Sequence, residues 1–539
     1  MKTTALGFSL LLIFCGIGTL VSGETPDDAS RRSIEPTQKI GASKKILEQG
    51  RAMYARRCSA CHGPDGEGEG EAAYLLYPKP RNFVRGQFRF VSTWDGTPTD
   101  EDIYRIISRG IPGSAMPSWA HLPEKDRWGL VHHVKSLSTQ PWEVGPSVAP
   151  DPSAGVDGSG PIEVPPEPRD DAASVERGAA LFVEQCASCH GPGGRGDGTT
   201  AEKMVDDANY PVRPRDLTTG VLKGSPRPDL LYRRVAGGIP GTPMPRAALQ
   251  RPEDGWHLVH FVLSLSSERL RDRAEMQRFR IEAPRVARVP DHPDAGEWRN
   301  APSVNLHLMP LWWRYKRPEY VTVQALHDGK ELALLLTWAD DSNDVAAIRP
   351  QDFRDAAAVQ LATGPDEPFF AMGEKGQFVS VWMWKSDREA DLKGFHDIDW
   401  QYPDIGIDSY PNLQMAPYEQ PMRDALTLES DPTFITAWGA GNVVADPERR
   451  TSAEDLRAQG FGTLRARPPM DQEVEALGLY DKGSYRVVFR RSLQSDADGA
   501  AVFKPGATVP IAFAIWNGSE GDRDGKKSVS IWQDLTLGK

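Results

Sequence analysis

Cysteine is nearly absent: the chain of 539 residues has five. Cys15 lies in an N-terminal apolar run, and Cys58, Cys61, Cys186 and Cys189 fall in two short motifs. So small a set excludes a disulfide-dense scaffold and leaves no thiolates over for a zinc site or an iron–sulfur cluster. Positive charge is also in short supply. Lys and Arg number 63 against 75 Asp and Glu, a net charge of −12. That argues against a nucleic-acid partner, because phosphate binding needs clustered Lys and Arg. Long apolar runs are confined to the N-terminus. Lys2, the run from Ala5 to Val21 and the small residues Val21-Ser22-Gly23 read as an export signal over residues 1–23. The expected location is therefore the periplasm, or a membrane tether if the signal is retained.

What the chain does contain is a repeated motif. "RRCSACHGPDGEGEG" begins at Arg56 and "EQCASCHGPGGRGDG" begins at Glu184. Each is C-x-x-C-H, the attachment sequence of a c-type heme. Two thiols two residues apart can form thioethers to the two vinyl groups of one porphyrin, and the adjacent His62 or His190 then reaches the iron. The glycines that follow let the chain turn away. About fifty residues on, "GIPGSAMP" and "GIPGTPMP" carry Met116 and Met244 in Pro-bounded loops. A lone Met is more often core filler. Two copies at one offset in one loop sequence argue instead for thioether ligands, and His/Met ligation raises a heme potential. With both axial positions filled, neither iron is open to substrate. The expected role is electron transfer rather than catalysis.

The repeat extends beyond the motifs. His62 and His190, Met116 and Met244, Tyr104 and Tyr232, Trp128 and Trp256, and the two GIPG strings all stand 128 residues apart. This is a duplicated domain. "ILEQGRAMYARRC" and "VERGAALFVEQC" space apolar residues on one helical face, and "DRWGLVHHVKSLS" and "DGWHLVHFVLSLS" form the matching C-terminal helix. His132, His133, His257 and His260 in that helix read as packing or surface residues. The divisions are a flexible lead over 24–44, a first unit over 45–140, a Pro/Gly-rich extended linker over 141–173 and a second unit over 174–268.

From residue 285 the composition changes, with ten of the fifteen tryptophans and no cysteine. Alternating, β-branched runs between Gly and Asp turns predict antiparallel strands in a sandwich. Residues 386–472 look less regular, as long loops with some helix in "SAEDLRAQG". The fold class is thus multidomain: two all-α domains followed by a mainly β sandwich. On physics alone the sandwich could be a plain partner- or ligand-binding module on a diheme carrier.

Two resemblances sharpen this. The N-terminal helix, C-x-x-C-H-G-x-x-G, Met-Pro loop and C-terminal helix make residues 45–140 and 174–268 resemble class I cytochrome c domains. "PFFAMGEKGQFVSVWMWKSD" and "AIWNGSEGDRDGKKSVSIW" resemble the heme b-binding γ subunits of the ethylbenzene dehydrogenase type. That resemblance implies a heme b held by a Met and a Lys. It also implies partnership with molybdenum and iron–sulfur subunits of the dimethyl sulfoxide reductase superfamily, and with a soluble or membrane redox carrier. Met372 occupies the matching Phe-x-Met-Gly position. Lys385 would sit roughly 25 Å along the return strand at about 3.3 Å per residue, too far to share an iron with Met372. Lys526 and Lys527 lie in a separate turn, and Lys526 is preferred. The usual γ subunit stands alone, so fusion to two c-type domains implies three hemes in one chain.

Overall fold

The computed structural model describes residues 34–539 except 87, 141, 143, 152, 154–155, 365, 395–400, 405–441 and 444–448. The expected signal and the start of the lead lie outside the described residues. Among those described, no helix is long and apolar enough to cross a membrane.

Each N-terminal unit is built on two crossed helices. In the first, Lys44–Arg57 leads into the heme motif and packs against Glu124–Leu137; in the second, Ala172–Gln185 packs against Pro252–Ser264. Ser43 and Asp171 cap the two leading helices by accepting from the backbone N–H of Ile46 and Ser174, which satisfies amide groups that have no partner within the helix. At the crossing a glycine is required. A Cβ on Gly50 would overlap the Gly129 carbonyl, and one on Gly178 would overlap the His257 carbonyl, again 128 residues apart. Tyr104 against Trp128, and Tyr232 against Trp256, complete the two cores.

The connecting segments are folded onto these units. Glu35, in the expected lead, accepts from Arg105 and pairs with Arg227, so it touches both cytochrome-like units. Within the linker, Val148 bridges Ser159, Ile162 is buried in the second core, and Trp256 donates to the Pro165 carbonyl. The linker's second half is therefore part of the packing rather than a free tether. The helical histidines pack as expected. His132 bonds the Ile40 carbonyl, His133 meets the Tyr54 ring, and Ser174 joins His257 and His260.

The C-terminal region is a sandwich of two sheets. In chain order the strands are β1 Arg280–Ala283, β2 Val304–His307, β3 Met309–Pro310, β4 Tyr320–His327, β5 Glu331–Ala339, β6 Ala356–Ala362, β7 Val379–Lys385, β8 Ala453–Ala458, β9 Arg465–Ala466, β10 Glu475–Asp481, β11 Ser484–Ser492, β12 Thr508–Trp516, β13 Ser528–Val529 and β14 Gln533–Leu537. One sheet runs β1-β14-β12-β6-β7-β8-β9 with β13 and β3 attached, and the other runs β10-β11-β5-β4-β2. All pairs are antiparallel except β1 with β14. Between the sheets lie Leu334, Leu336, Val359, Trp382, Trp384, Phe489 and Phe513. One expectation fails here: "SAEDLRAQG" contains strand β8, not helix. Its helix-favouring residues are overridden by pairing with β7, which buries Ala453 in the core and Leu456 on the opposite face of the sheet.

Gly50→Ala is expected to destabilise the first helical unit by about 3 kcal/mol, the upper range for overpacking a tight site. Thermal unfolding followed by circular dichroism should show a lowered transition, and an unchanged melt would contradict the crossing described here.

Candidate heme sites

The two C-x-x-C-H motifs adopt the same local structure. The leading helix ends at Cys58 or Cys186, and one further turn, Ser59–His62 or Ala187–His190, brings the second thiol and the imidazole round. No disulfide joins any of the four cysteines. Burial pushes Cys58 and Cys61 up to about 12 and Cys186 up to about 11. His62 is pushed down to about 4 and His190 is also lowered, in both cases chiefly by burial. Both rings are therefore neutral at pH 7, the form that can bind a metal. His62 Nδ1 lies 3.0 Å from the Arg81 carbonyl. That contact makes Nδ1 the donor and leaves the Nε2 lone pair free for iron. The His190 ring stands beside the equivalent Arg215 main chain, although its Nδ1 falls short of a hydrogen bond.

The methionine loops match in detail. The Ile111 N–H donates to the Met116 carbonyl at 3.0 Å and the Ile239 N–H to the Met244 carbonyl at 3.1 Å. The backbone N–H of each Met donates at 3.3 Å to a hydroxyl two residues earlier, Ser114 or Thr242. Cys58, Cys61, His62 and Met116 open onto the same cavity as Cys186, Cys189, His190 and Met244, a continuous space of about 430 Å³. The eight side chains singled out in the sequence are thus brought together in one interdomain space. Apolar walls, two soft-and-imidazole donor sets and paired thiols suit two covalently attached porphyrins.

The two halves of the cavity are locked by a buried ion pair. Arg109, 4% exposed, ends the helix Asp100–Arg109 just before the Met116 loop. It donates to Glu275 at 2.6 to 2.9 Å and to the carbonyls of Leu222 and Lys223.

The sandwich has a second candidate site on the outer face of its larger sheet. Pleating points Ala356, Ala358 and Ala362 of β6, Ala458 of β8 and Ala512 and Ala514 of β12 to that face. Six alanines make this face apolar and low in relief, and all but Ala514 are buried in the cluster. Met372 packs against this group. Its φ of 70° is left-handed, a conformation that costs a non-glycine residue roughly 1–2 kcal/mol. Gln360, the one polar side chain pointing outward from β6, holds the loop in place. Its Oε1 accepts from Met372 N–H at 3.2 Å and its Nε2 donates to the Phe370 carbonyl at 2.6 Å. The sequence reading passed over Gln360; a polar residue amid the alanines of "AAAVQLA" was the available signal.

The three lysines separate clearly. Lys385 ends β7, and its ammonium is held by Glu454 at 2.6 Å. Lys526 is exposed and lies over the Trp312 ring, 5.3 Å from its centroid. Lys527 lies 4.8 Å from the centroid of Trp516, a member of the alanine-lined group, and burial pushes its ammonium down to about 8. Of the two neighbours, Lys527 is the one that reaches the sheet face on which Met372 packs, while Lys526 faces Trp312. Adjacent residues in this turn point to opposite environments.

Phe370 connects the two regions. It packs with Met372 on the sheet face, meets the Trp119 ring of the first unit at 6.3 Å, and with Phe369 lines the cavity. Arg56 to Glu374 and Arg57 to the Glu367 carbonyl, both at 2.9 Å, fix this segment to the first heme-motif helix.

The comparisons agree with this division. The family described as ethylbenzene dehydrogenase matches residues 296–528, cytochrome c oxidase cbb3-type subunit III matches 46–134, and cytochrome c matches 175–266. The chain therefore carries two cytochrome c domains followed by a domain of the ethylbenzene dehydrogenase γ-subunit type, which makes it an electron-transfer heme protein. It is similar to a putative respiratory nitrate reductase heme subunit of Haloferax mediterranei, at 26% identity over 46% of this chain and 69% of that one. It is also similar to the dimethylsulfide dehydrogenase γ subunit of Rhodovulum sulfidophilum, at 23% identity over 45% of this chain and 74% of that one. A chain of a reducing HAO-like protein complex from Kuenenia stuttgartiensis is 35% identical, covering 42% of this chain and all of that one, with a TM-score of 0.36.

Arg109→Ala would leave Glu275 without its buried partner, at an expected cost of about 3–5 kcal/mol. Limited proteolysis should then cleave between the cytochrome domains faster than in the parent. Equal cleavage rates would show that the pair does not lock the junction.

Proposed function

We propose that this chain is the exported, heme-bearing redox subunit of a molybdenum oxidoreductase, holding two covalent hemes c and one heme b. The observation that carries this reading is the continuity from the Met372 face through Phe370 to a cavity bearing two complete Cys-Cys-His-Met sets. The molybdenum and iron–sulfur centres would belong to partner subunits, and a soluble or membrane carrier would exchange electrons with the c-type end.

When bound, heme supplies a one-electron couple at iron. The residues set the conditions for it. Cys58, Cys61, Cys186 and Cys189 would fix the rings covalently, while His62 with Met116 and His190 with Met244 would fill both axial positions. Such a ligand set would leave substrate no place at the iron and would favour the reduced state relative to harder ligands. Met372 and Lys527 would hold heme b over the alanine face, Lys527 through the neutral amine that burial favours. The aliphatic and aromatic part of the lining would shield the irons from water and limit the reorganisation that accompanies a change in iron charge.

The test is heme stoichiometry in protein from a host with c-type heme maturation, by acid–acetone extraction and pyridine hemochrome spectra. Two covalent hemes and one extractable heme b are expected. Met372→Ala and Lys527→Ala should each lose the extractable heme, and Lys526→Ala should keep it. Two covalent hemes with nothing extractable, even after heme is supplied, would overturn the γ-subunit role and leave a diheme carrier with a docking sandwich.

A further inference from the structure

The walls of the shared cavity are unbalanced in charge. Nine Arg and Lys side chains line it against one carboxylate, Asp102, which is already occupied by Ser92 and the backbone of Thr99. The whole chain is acidic, so this local excess runs against composition. Three of these cations, each half-buried, have little to pair with. Lys223 and Arg81 have no hydrogen bond or ion pair from their side chains among the described residues, and Arg215 reaches only two backbone carbonyls, Val221 at 3.3 Å and Pro112 at 3.5 Å. Burial, followed by the mutual repulsion of Arg215, Arg89 and Arg317, pushes Lys223 down to about 7.

The excess is concentrated where the domains meet. Arg215 belongs to the second cytochrome domain but reaches into the Met116 loop of the first; a Cβ on Gly113 would overlap its guanidinium. Lys223 also belongs to the second domain, and its carbonyl is held by Arg109 of the first at 3.1 Å. Arg89 of the first domain pairs across the junction with Asp206 at 2.5 Å. Such a seam of half-buried positive charge attracts anions, and the C-x-x-C-H motifs open directly onto it. The porphyrin of a c-type heme carries two propionate carboxylates.

We propose that Arg215 and Lys223 form a carboxylate seat shared by the macrocycles of both cytochrome domains. Propionates from the His62 side and the His190 side meet the same two cations, so each cation acts on both redox centres. The inference rests on covalent heme at both motifs, and it adds that the two centres are electrostatically joined at the domain boundary rather than insulated from each other.

The test is a spectroelectrochemical titration of the full-length holoprotein, after hemochrome spectra have counted its covalent hemes. Loss of a positive charge favours the ferric form, so Lys223→Gln and Arg215→Gln should each lower both c-type midpoints. Up to a tenfold change in each reduction equilibrium is expected, about 59 mV for one electron. Lys330→Gln, at an exposed turn of the sandwich, should move neither. If Arg215→Gln does not fold, Lys223→Gln carries the test, together with a shift of the propionate bending bands in resonance Raman spectra. Two covalent hemes with one midpoint or none displaced would overturn the shared seat. Midpoints that follow added phosphate in the parent protein, and ignore Lys223→Gln, would assign the cations to a free anion and overturn it as well. Fewer than two covalent hemes would count against the underlying heme assignment instead.

Discussion

Arg109 is the group on which the arrangement turns. Arg109 is the last residue of the helix that leads into the Met116 loop, and its guanidinium is buried against Glu275 and the carbonyls of Leu222 and Lys223. One side chain therefore ties together the first methionine loop, the wall of the second cytochrome domain and the segment entering the sandwich. A buried Arg–carboxylate pair gives little net stability over an apolar contact, yet breaking it leaves an unpaired charge inside the protein. That asymmetry suits a registry device: it penalises every other placement of the domains more than it rewards this one.

With the junction fixed, the three domains divide the work by the chemistry of their surfaces. The cytochrome domains offer thiols, neutral imidazoles and thioethers inside apolar walls. The sandwich offers a face of alanines, a methionine in a left-handed conformation and a half-buried lysine. Phe369 and Phe370 join the two, since the loop that sets Met372 also lines the cavity between the cytochrome domains. The same short segment thus shapes one site and borders the other. This is a physical reason to fuse the domains in one chain, because separate proteins would have to find that register by diffusion.

Much of this was legible early. A C-x-x-C-H motif is local: five consecutive residues carry both thiols and the imidazole, so no tertiary information is needed to read it. The methionine loops were legible because duplication repeated them at a constant offset. Strand β8 was misread for the opposite reason. "SAEDLRAQG" has residues that favour helix, and only the waiting edge of β7 makes it a strand. The choice between Lys526 and Lys527 was equally out of reach. Neighbours in a turn differ by which way they face, and Trp312 and Trp516, which receive them, are distant from each other in sequence.

The sequence by itself determined the duplication, the two C-x-x-C-H motifs, the methionine loops and the order of helical and β-rich domains. Each is written in local spacing or in periodicity along one element. Tertiary structure alone decided that the two C-x-x-C-H motifs face a common cavity, that an excess of cations from several elements gathers there, and that Gln360 holds the Met372 loop. Those facts depend on side chains separated by tens to hundreds of residues, whose approach is set by the packing of whole domains and leaves no local pattern in the chain.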